Sequence, residues 1–467
     1  MYKIQVQDAP EEKNCLLIES MTQEISSPLF EKHPEVGEVA NKELCENLYA
    51  QIPLALYSDQ NKALGENEKY QFSMFVTELK AKDFKNLTAD SESVRLADVI
   101  IAWNVFQHFY PYFDVVDVDW NKELTLALES ALEDVSERDF FYTLCRLVAK
   151  LQDGHGNVYH RIWMEQAGLP VKVDWIDNQV VVTDSKDQTL FQKGDIILAL
   201  DGKKAEKVLL EDEAYISGSP QWRRWKSLNR FGYGVPGTIV MIQLKRGNQV
   251  VDVKVKRHFK QQITEMDHPS IQILEAGIYY VDLTRASWNE IRAKIHELAD
   301  AKGVIFDLRG YPNSNHEVIC HLLKENDTSD AWMQIPLIIY PDQENVAGYQ
   351  KMGWKLVAKQ PHIKGKVVFI TNGSAISYAE SFMSYIEHYK LAEIVGQPTA
   401  GANGNVNSFV LPGGFQITWT GMKVLKHDGS QHHVIGIQPT VPAERTLQGV
   451  IEGRDEFLEK ALEVVSQ

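Results

Sequence analysis

At 467 residues the chain is too long for one ordinary domain, and roughly two to four are expected. Its apolar fraction of 44% is that of a globular protein. A formal charge of −16 argues against a nucleic-acid backbone as partner, which needs clustered Lys and Arg. Cys15, Cys45, Cys145 and Cys320 are scattered without C-x-x-C spacing, so neither a zinc knuckle nor a redox motif is supported. No apolar run approaches a membrane span, and the opening Met1–Asp8 does not read as a signal peptide. A soluble chain is expected, cytoplasmic, or periplasmic or secreted if a leader was removed, with the compartment left open.

Residues 1–90 alternate short strand-like pieces (Tyr2 to Val6, Pro53 to Tyr57) with polar stretches and read as an accessory region. Residues 91–165 form a helical unit. Ser93 to Tyr110 has amphipathic helical spacing and is ended by Pro111, a second helix follows over Trp120 to Leu132, and a third over Glu137 to Leu151. Cys145 in the third helix reads as a core thiol. The unit closes on Gln152-Asp153-Gly154-His155-Gly156-Asn157, a turn presenting one imidazole between two glycines that permit close backbone approach. A helix C-cap glycine followed by a surface histidine is the plainer reading of that turn.

Residues 166–258 read as β-rich with one helix. Gln179 to Thr183 is a strand, Gly194 to Gly202 is a strand closed by an Asp-Gly turn, and Thr238 to Lys256 is a hairpin with period-two alternation. The order, and "GDIILALDG" above all, resembles a PDZ domain, which takes an extended peptide onto a sheet edge. Tyr215 to Gly234, rich in Trp and Arg, departs from a minimal PDZ domain and reads as packing between domains.

From Gly277 the pattern becomes strand–helix–strand: a strand to Leu283, a helix over Ser287 to Ala299, and a buried strand from Gly303 to Gly310. This alternation predicts an α/β core over residues 259–467. Its last strands are expected at Gln416 to Thr420 and Met422 to Leu425, and its terminal helix at Arg454 to Val465. Within it, Lys366 to Thr371 is a β-branched strand, Asn372-Gly373-Ser374 turns the chain, and Ala375 to Tyr389 has helical spacing. Ser377 thus sits between a finished strand and a starting helix. A tight turn there exposes a nucleophilic hydroxyl, and free amides at the helix start can face developing negative charge. Serine is also a preferred helix N-cap, which requires no chemistry.

Taken together, "LQDGHGN", "GDIILALDG", "GIYYVDL", "GVIFDLRGYPN", "VVFITNGSAISYAESF", "VGQPTAGANGN" and "GIQPTVP" resemble the tail-specific (C-terminal processing) serine protease family, in that family's order and from about Ser93 onward. The Asp-Gly-His turn is similar to the tricorn-like branch. The resemblance implies a crotonase-like α/β catalytic core with an inserted PDZ-like domain and an N-terminal helical unit. It implies peptide or unfolded-protein substrates, with a C-terminal segment held at the PDZ-like domain, and no cofactor.

A serine–lysine enzyme of the family would carry its lysine in the loop Gln397 to Gly404, which has none. His155 is then the candidate base for Ser377, since an imidazole can take and return a proton near neutral pH. By resemblance the oxyanion donors are the amides of Gly310 and Tyr378, with Glu380 and Asp153 supporting. Tricorn-like enzymes orient the site with a carboxylate shortly before the last Gly-x-x-Pro motif. Here His427 to Gly436 offers none at that place; Asp428 falls in a hairpin turn, and His433, a backbone group or Asp153 are the substitutes. His427, His432 and His433 raise a zinc reading, but no H-E-x-x-H occurs and no metal is expected. The missing acid leaves a second possibility, a peptide- or lipophile-binding protein on the same scaffold.

Overall fold

The structure, a computed structural model, describes residues 87–467 apart from 165, 259–268, 276, 330, 331 and 339–345. Before residue 87 it describes 35–45, 48–59 and the short pieces 2–4, 18–20, 62, 63, 74, 77, 78 and 81. Most of the expected accessory region therefore lies outside the described residues. Within it, Tyr2–Ile4 pairs with Ile18–Ser20 and Val39–Cys45 with Leu48–Pro53, both antiparallel.

The helical unit consists of α1 (Glu92–Phe109), α2 (Trp120–Glu133) and α3 (Glu137–Ala149), followed by a short strand β1 (Asn157–Tyr159). Asp119 and Ser136 cap the second and third helices with side-chain acceptors. The β-rich block carries β2 (Val171–Ile176), β3 (Gln179–Ser185), β4 (Ile196–Leu200), helices α4 (Ala205–Glu213) and α5 (Pro220–Asn229), then β5 (Ile239–Arg246) and β6 (Gln249–Lys256). Two helices stand where one was expected. Pro220 at the first turn and the Ser219 cap start α5 inside the Trp- and Arg-rich stretch. The sheet order is β6-β5-β4-β3-β2, antiparallel throughout, which leaves β2 at its edge.

The remaining chain builds the main sheet from β7 (Ile271–Glu275), β8 (Ile278–Asp282), β9 (Gly303–Asp307), β12 (Lys366–Thr371), β13 (Glu393–Gly396) and β17 (Val441–Pro442), in that spatial order. All neighbours after the first pair run parallel. Between them lie α6 (Trp288–Ala293), α7 (Ile295–Ala299), β10 (Met333–Ile338), β11 (Val346–Met352), α8 (Tyr378–His388), β14 (Val406–Leu411), β15 (Phe415–Thr420) and β16 (Lys423–Val424). Then α9 (Leu447–Glu452) and α10 (Glu456–Ser466) close the chain. The helix expected over Ser287 to Ala299 is two pieces broken at Lys294.

Both faces of the main sheet are covered, which is why its strands read as unbroken apolar runs. Val304, Phe306, Val367 and Phe369 point to the side of α8, whereas Ile305, Val368 and Ile370 point to α10 and its Phe457, Ala461 and Val464. Each such fully buried side chain contributes about 1.5–3 kcal/mol.

The expected last strands of this core belong elsewhere. β15 lies in a small sheet ordered β14-β15-β1, and β16 pairs with β10. Alternation explains the departure: Phe415, Ile417 and Trp419 enter the core of the helical unit beside Phe106 and Phe140, so β15 follows the helices and not the parallel sheet. The helical unit completes its core with residues more than two hundred positions later in the chain. Among the described residues no helix is long and apolar enough to cross a membrane.

Candidate active site

Because β9 and β12 are parallel neighbours, the segments after them leave the same end of the sheet. One carries Arg309-Gly310, the other Asn372 to Ser377. Arg309 pairs with Asp307 and Asp455 and so anchors the loop that presents Gly310. On the other segment, Asn372 Oδ1 accepts from the Ser374 amide at 3.0 Å and hydroxyl at 2.5 Å, an Asx turn that stops the strand.

Ser377 follows with φ 59° and ψ −113°, a conformation that L-residues rarely adopt, and α8 begins at Tyr378. It stands at the N-cap position, yet its hydroxyl makes no cap hydrogen bond. Capping therefore does not account for the serine. Its amide donates to Ala402 O at 2.9 Å. The amides of Gly310 and Tyr378 donate to no backbone group among the described residues. Tyr311 and Tyr378 lie with ring centroids 5.7 Å apart, and Trp354 packs on Tyr378, forming an aromatic wall beside the Ser377 turn.

Glu380, in the first turn of α8 and fully buried, does not face outward. Its Oε1 accepts from the Thr399 hydroxyl at 2.5 Å and the Gly401 amide at 2.6 Å, and its Oε2 from the Ala402 amide at 2.8 Å. His432 Nε2 is 3.3 Å from Oε1. Burial pushes this carboxyl up, but His432, Thr399 and the Gly401 amide outweigh burial and leave it below the ordinary glutamate value. Glu380 thereby clamps the loop whose Ala402 carbonyl receives the Ser377 amide.

The histidine turn is fixed differently. Asp153 is fully buried; its amide donates to Ser217 Oγ at 2.9 Å, its Oδ1 receives the His155 amide at 3.0 Å, and its Oδ2 receives the Thr420 amide at 2.6 Å. The Thr420 hydroxyl donates to Asp153 Oδ1 at 2.7 Å and lies 2.8 Å from His155 Nδ1. Thr418 donates to the His155 carbonyl at 2.7 Å. Both glycines are sterically required: a Cβ on Gly156 would come 2.7 Å from Ser217 Oγ, and one on Gly154 would come 2.7 Å from Ala402 Cβ and 3.2 Å from Ile376 Cδ1. The two turns are therefore packed together, with Gly154 against the residue preceding Ser377.

His155 is not the surface histidine of the plainer reading. It is part-buried, and burial lowers its pKa below the ordinary 6.5, with Asp153 and Glu380 opposing that shift and Lys226 adding to it. Lys226 comes from α5, donates to Asn157 Oδ1 at 3.2 Å, and is itself pushed down to about 8 by burial. The Trp- and Arg-rich stretch does pack between segments. Ser219 donates to Ala400 O at 2.6 Å, Gln221 to Thr399 O at 2.9 Å, and Trp222 clusters with Ile216 and Ala400.

The three histidines of 427–433 turn to different partners. His427 lies between Ser329 and Ser384, His432 beside Glu380, and His433 stacks on Tyr112 at 3.8 Å. His433 Nε2 is 3.1 Å from the Tyr110 hydroxyl, which itself donates to Leu151 O, and burial pushes His433 down to about 4. Among the described residues no group of three His, Cys, Asp or Glu could hold a metal ion. Asp428 is exposed in its turn, bonded to Ser430.

Thr420 and Lys226 went unnoticed in the sequence. Only the period-two pattern of 415–420 hinted that Thr418 and Thr420 share a face opposite the apolar one.

Residues 277–443 match peptidase family S41. No curated protein matches the chain in sequence. Among solved structures, mature CPAF aligns with a TM-score of 0.66 at 15% identity, over 80% of this chain and 97% of that one. Mature CPAF complexed with lactacystin gives 0.65 at 14%, with the same coverage. The photosystem II D1 C-terminal processing protease covers 80% and 97% at 14% identity, with a TM-score of 0.45, too low to carry weight. At these identities the CPAF likeness speaks for the mixed α/β, multidomain fold alone. The 277–443 segment, under half of the chain, is thus similar to peptidase family S41, a likeness that points to a serine-type peptidase.

Proposed function

We propose that this chain hydrolyses peptide bonds of protein or peptide substrates, with Ser377 as nucleophile and His155 as general base. The observation that carries the reading is the packing of the two turns, Gly154 lying against Ile376 and Ala402 while Ala402 receives the Ser377 amide. His155 Nε2 takes the hydroxyl proton as Ser377 Oγ adds to the scissile carbonyl. The Gly310 and Tyr378 amides hold the resulting oxyanion, where loss of one donor typically costs about 10²–10³ in turnover. The imidazolium then protonates the leaving amine, and water hydrolyses the acyl-enzyme by the same path reversed. A base with a lowered pKa stays neutral, and so competent, at pH values where an ordinary histidine is partly protonated.

Specificity for C-terminal segments is the finer part of the proposal. In this reading residues 166–258 form a PDZ-like domain whose edge strand β2 adds an extended chain end. Helix α5 packs beside β2 and touches the catalytic loops through Ser219 and Gln221, giving a route from capture to cutting. The α/β part, residues 259–467, acts as a crotonase-like core, with the helical unit of 91–165 supplying His155.

The test is treatment with a fluorophosphonate probe together with digestion of an unfolded protein. One adduct on the peptide bearing Ser377 is expected, with Ser377→Ala losing labelling and at least about 10³-fold in cleavage. Labelling that persists in Ser377→Ala refutes the assigned nucleophile. Peptide or lipophile binding by the unmodified protein without cleavage favours a binding protein on the same scaffold.

A further inference from the structure

The geometry points to Thr420 as the residue that positions His155, with Asp153 acting through its hydroxyl; this rests on the reading of Ser377 and His155 given above. Asp153 accepts on both oxygens, from the His155 amide, the Thr420 amide and the Thr420 hydroxyl. A hydroxyl has one hydrogen, and that of Thr420 is committed to Asp153 Oδ1 at 2.7 Å. At 2.8 Å from His155 Nδ1, Thr420 Oγ1 can then only accept, so Nδ1 carries the ring proton. Nε2 is left with its lone pair, the form a general base requires.

When His155 takes the Ser377 proton, the chain Nδ1–H to Oγ1–H to carboxylate is aligned in one direction, and each bond polarises the next. The hydroxyl also sets the carboxylate one link back from the ring, so Asp153 steadies the imidazolium less than a direct contact would.

The fold supplies this arrangement from far along the chain. In β15 successive side chains alternate, so Phe415, Ile417 and Trp419 fill the helical core while Thr418 and Thr420 face the histidine turn. Pairing of β15 with β1 sets the register, Thr418 opposite Asn157. Threonine suits the position because its methyl is wedged at Gly404, where a Cβ would come within 2.9 Å of Thr420 Cγ2. That contact adds to the stiffness of a β-branched χ1. The carboxylate expected before the last Gly-x-x-Pro motif is thereby replaced by one at the other end of the site.

Thr420→Val keeps the shape and removes the hydroxyl. The expected result is a fall in kcat and in fluorophosphonate labelling rate of about 10²-fold, below the ~10⁴ that follows loss of a directly bonded triad carboxylate. KM stays unchanged, and the acid limb of the labelling rate moves to lower pH because the imidazolium has lost its acceptor. Thr420→Ser should recover most of the rate. A packing role alone would lower the thermal midpoint of both variants and leave the pH midpoint where it was. A Thr420→Val protein with unaltered kcat and acid limb overturns the inference. Ser377→Ala separates the two claims: continued labelling there defeats the peptidase reading itself, whereas a dead Ser377→Ala beside an unaffected Thr420→Val defeats only the relay.

Discussion

The two turns that meet at the candidate active site are held by different kinds of force. The Ser377 turn is fixed by main chain: a parallel strand ends, an Asx turn stops it, and the serine is driven to a positive φ with its amide on Ala402. The His155 turn is fixed by side chains from elsewhere, Ser217 from the β-rich block and Thr418 and Thr420 from β15. The placement of Ser377 is therefore a property of the core sheet, and the placement of His155 is a property of how three segments assemble. Damage to either should show a different signature.

Short of removing Ser377 or His155, the largest effect is expected where the two meet, at Glu380. In Glu380→Gln an amide NH₂ must face the Gly401 or Ala402 amide or the Thr399 hydroxyl, which all donate to the present carboxylate. The loop then shifts with Ala402. Cleavage should fall by about 10²-fold and stability by roughly 1–3 kcal/mol, read from turnover and denaturant unfolding. Wild-type behaviour would mean that the loop holds itself without the clamp.

A smaller effect isolates the main-chain side. Glycine tolerates a positive φ that alanine does not, so Ser377→Gly should be more stable than Ser377→Ala by about 1 kcal/mol, both being inactive. Equal unfolding midpoints would show that the turn stores no strain. Such a gain on removing the nucleophile is the usual mark of a site held in tension for function.

The same contrast explains what could be read from the chain. Ser377 was legible because its signals are local, a β-branched run, a turn and a helical period within about two dozen residues. The oxyanion candidates Gly310 and Tyr378 came from the family resemblance and not from such local signals. His155 was legible as a glycine-flanked turn with Asp153 beside it, but its partner Thr420 was not. Thr420 lies 265 positions away, and alternation in 415–420 identifies a strand without saying which sheet it joins. That is why the strand was expected in the α/β core and is found under the helices. The break at Lys294 and the extra helix Ala205–Glu213 were missed for another reason: tertiary packing outweighs weak local preference over such short spans.

The most direct measurement is the fluorophosphonate labelling rate of Ser377 against pH, in the unmodified protein and in His155→Ala. The account predicts a rate that rises with pH to a plateau, with a midpoint below the ordinary histidine value of 6.5 because burial disfavours the imidazolium. It predicts a rate lower by about 10²–10⁴ in His155→Ala, with that pH step gone. A His155→Ala protein that labels at the unmodified rate, or keeps the same step, would contradict the pairing of this imidazole with Ser377.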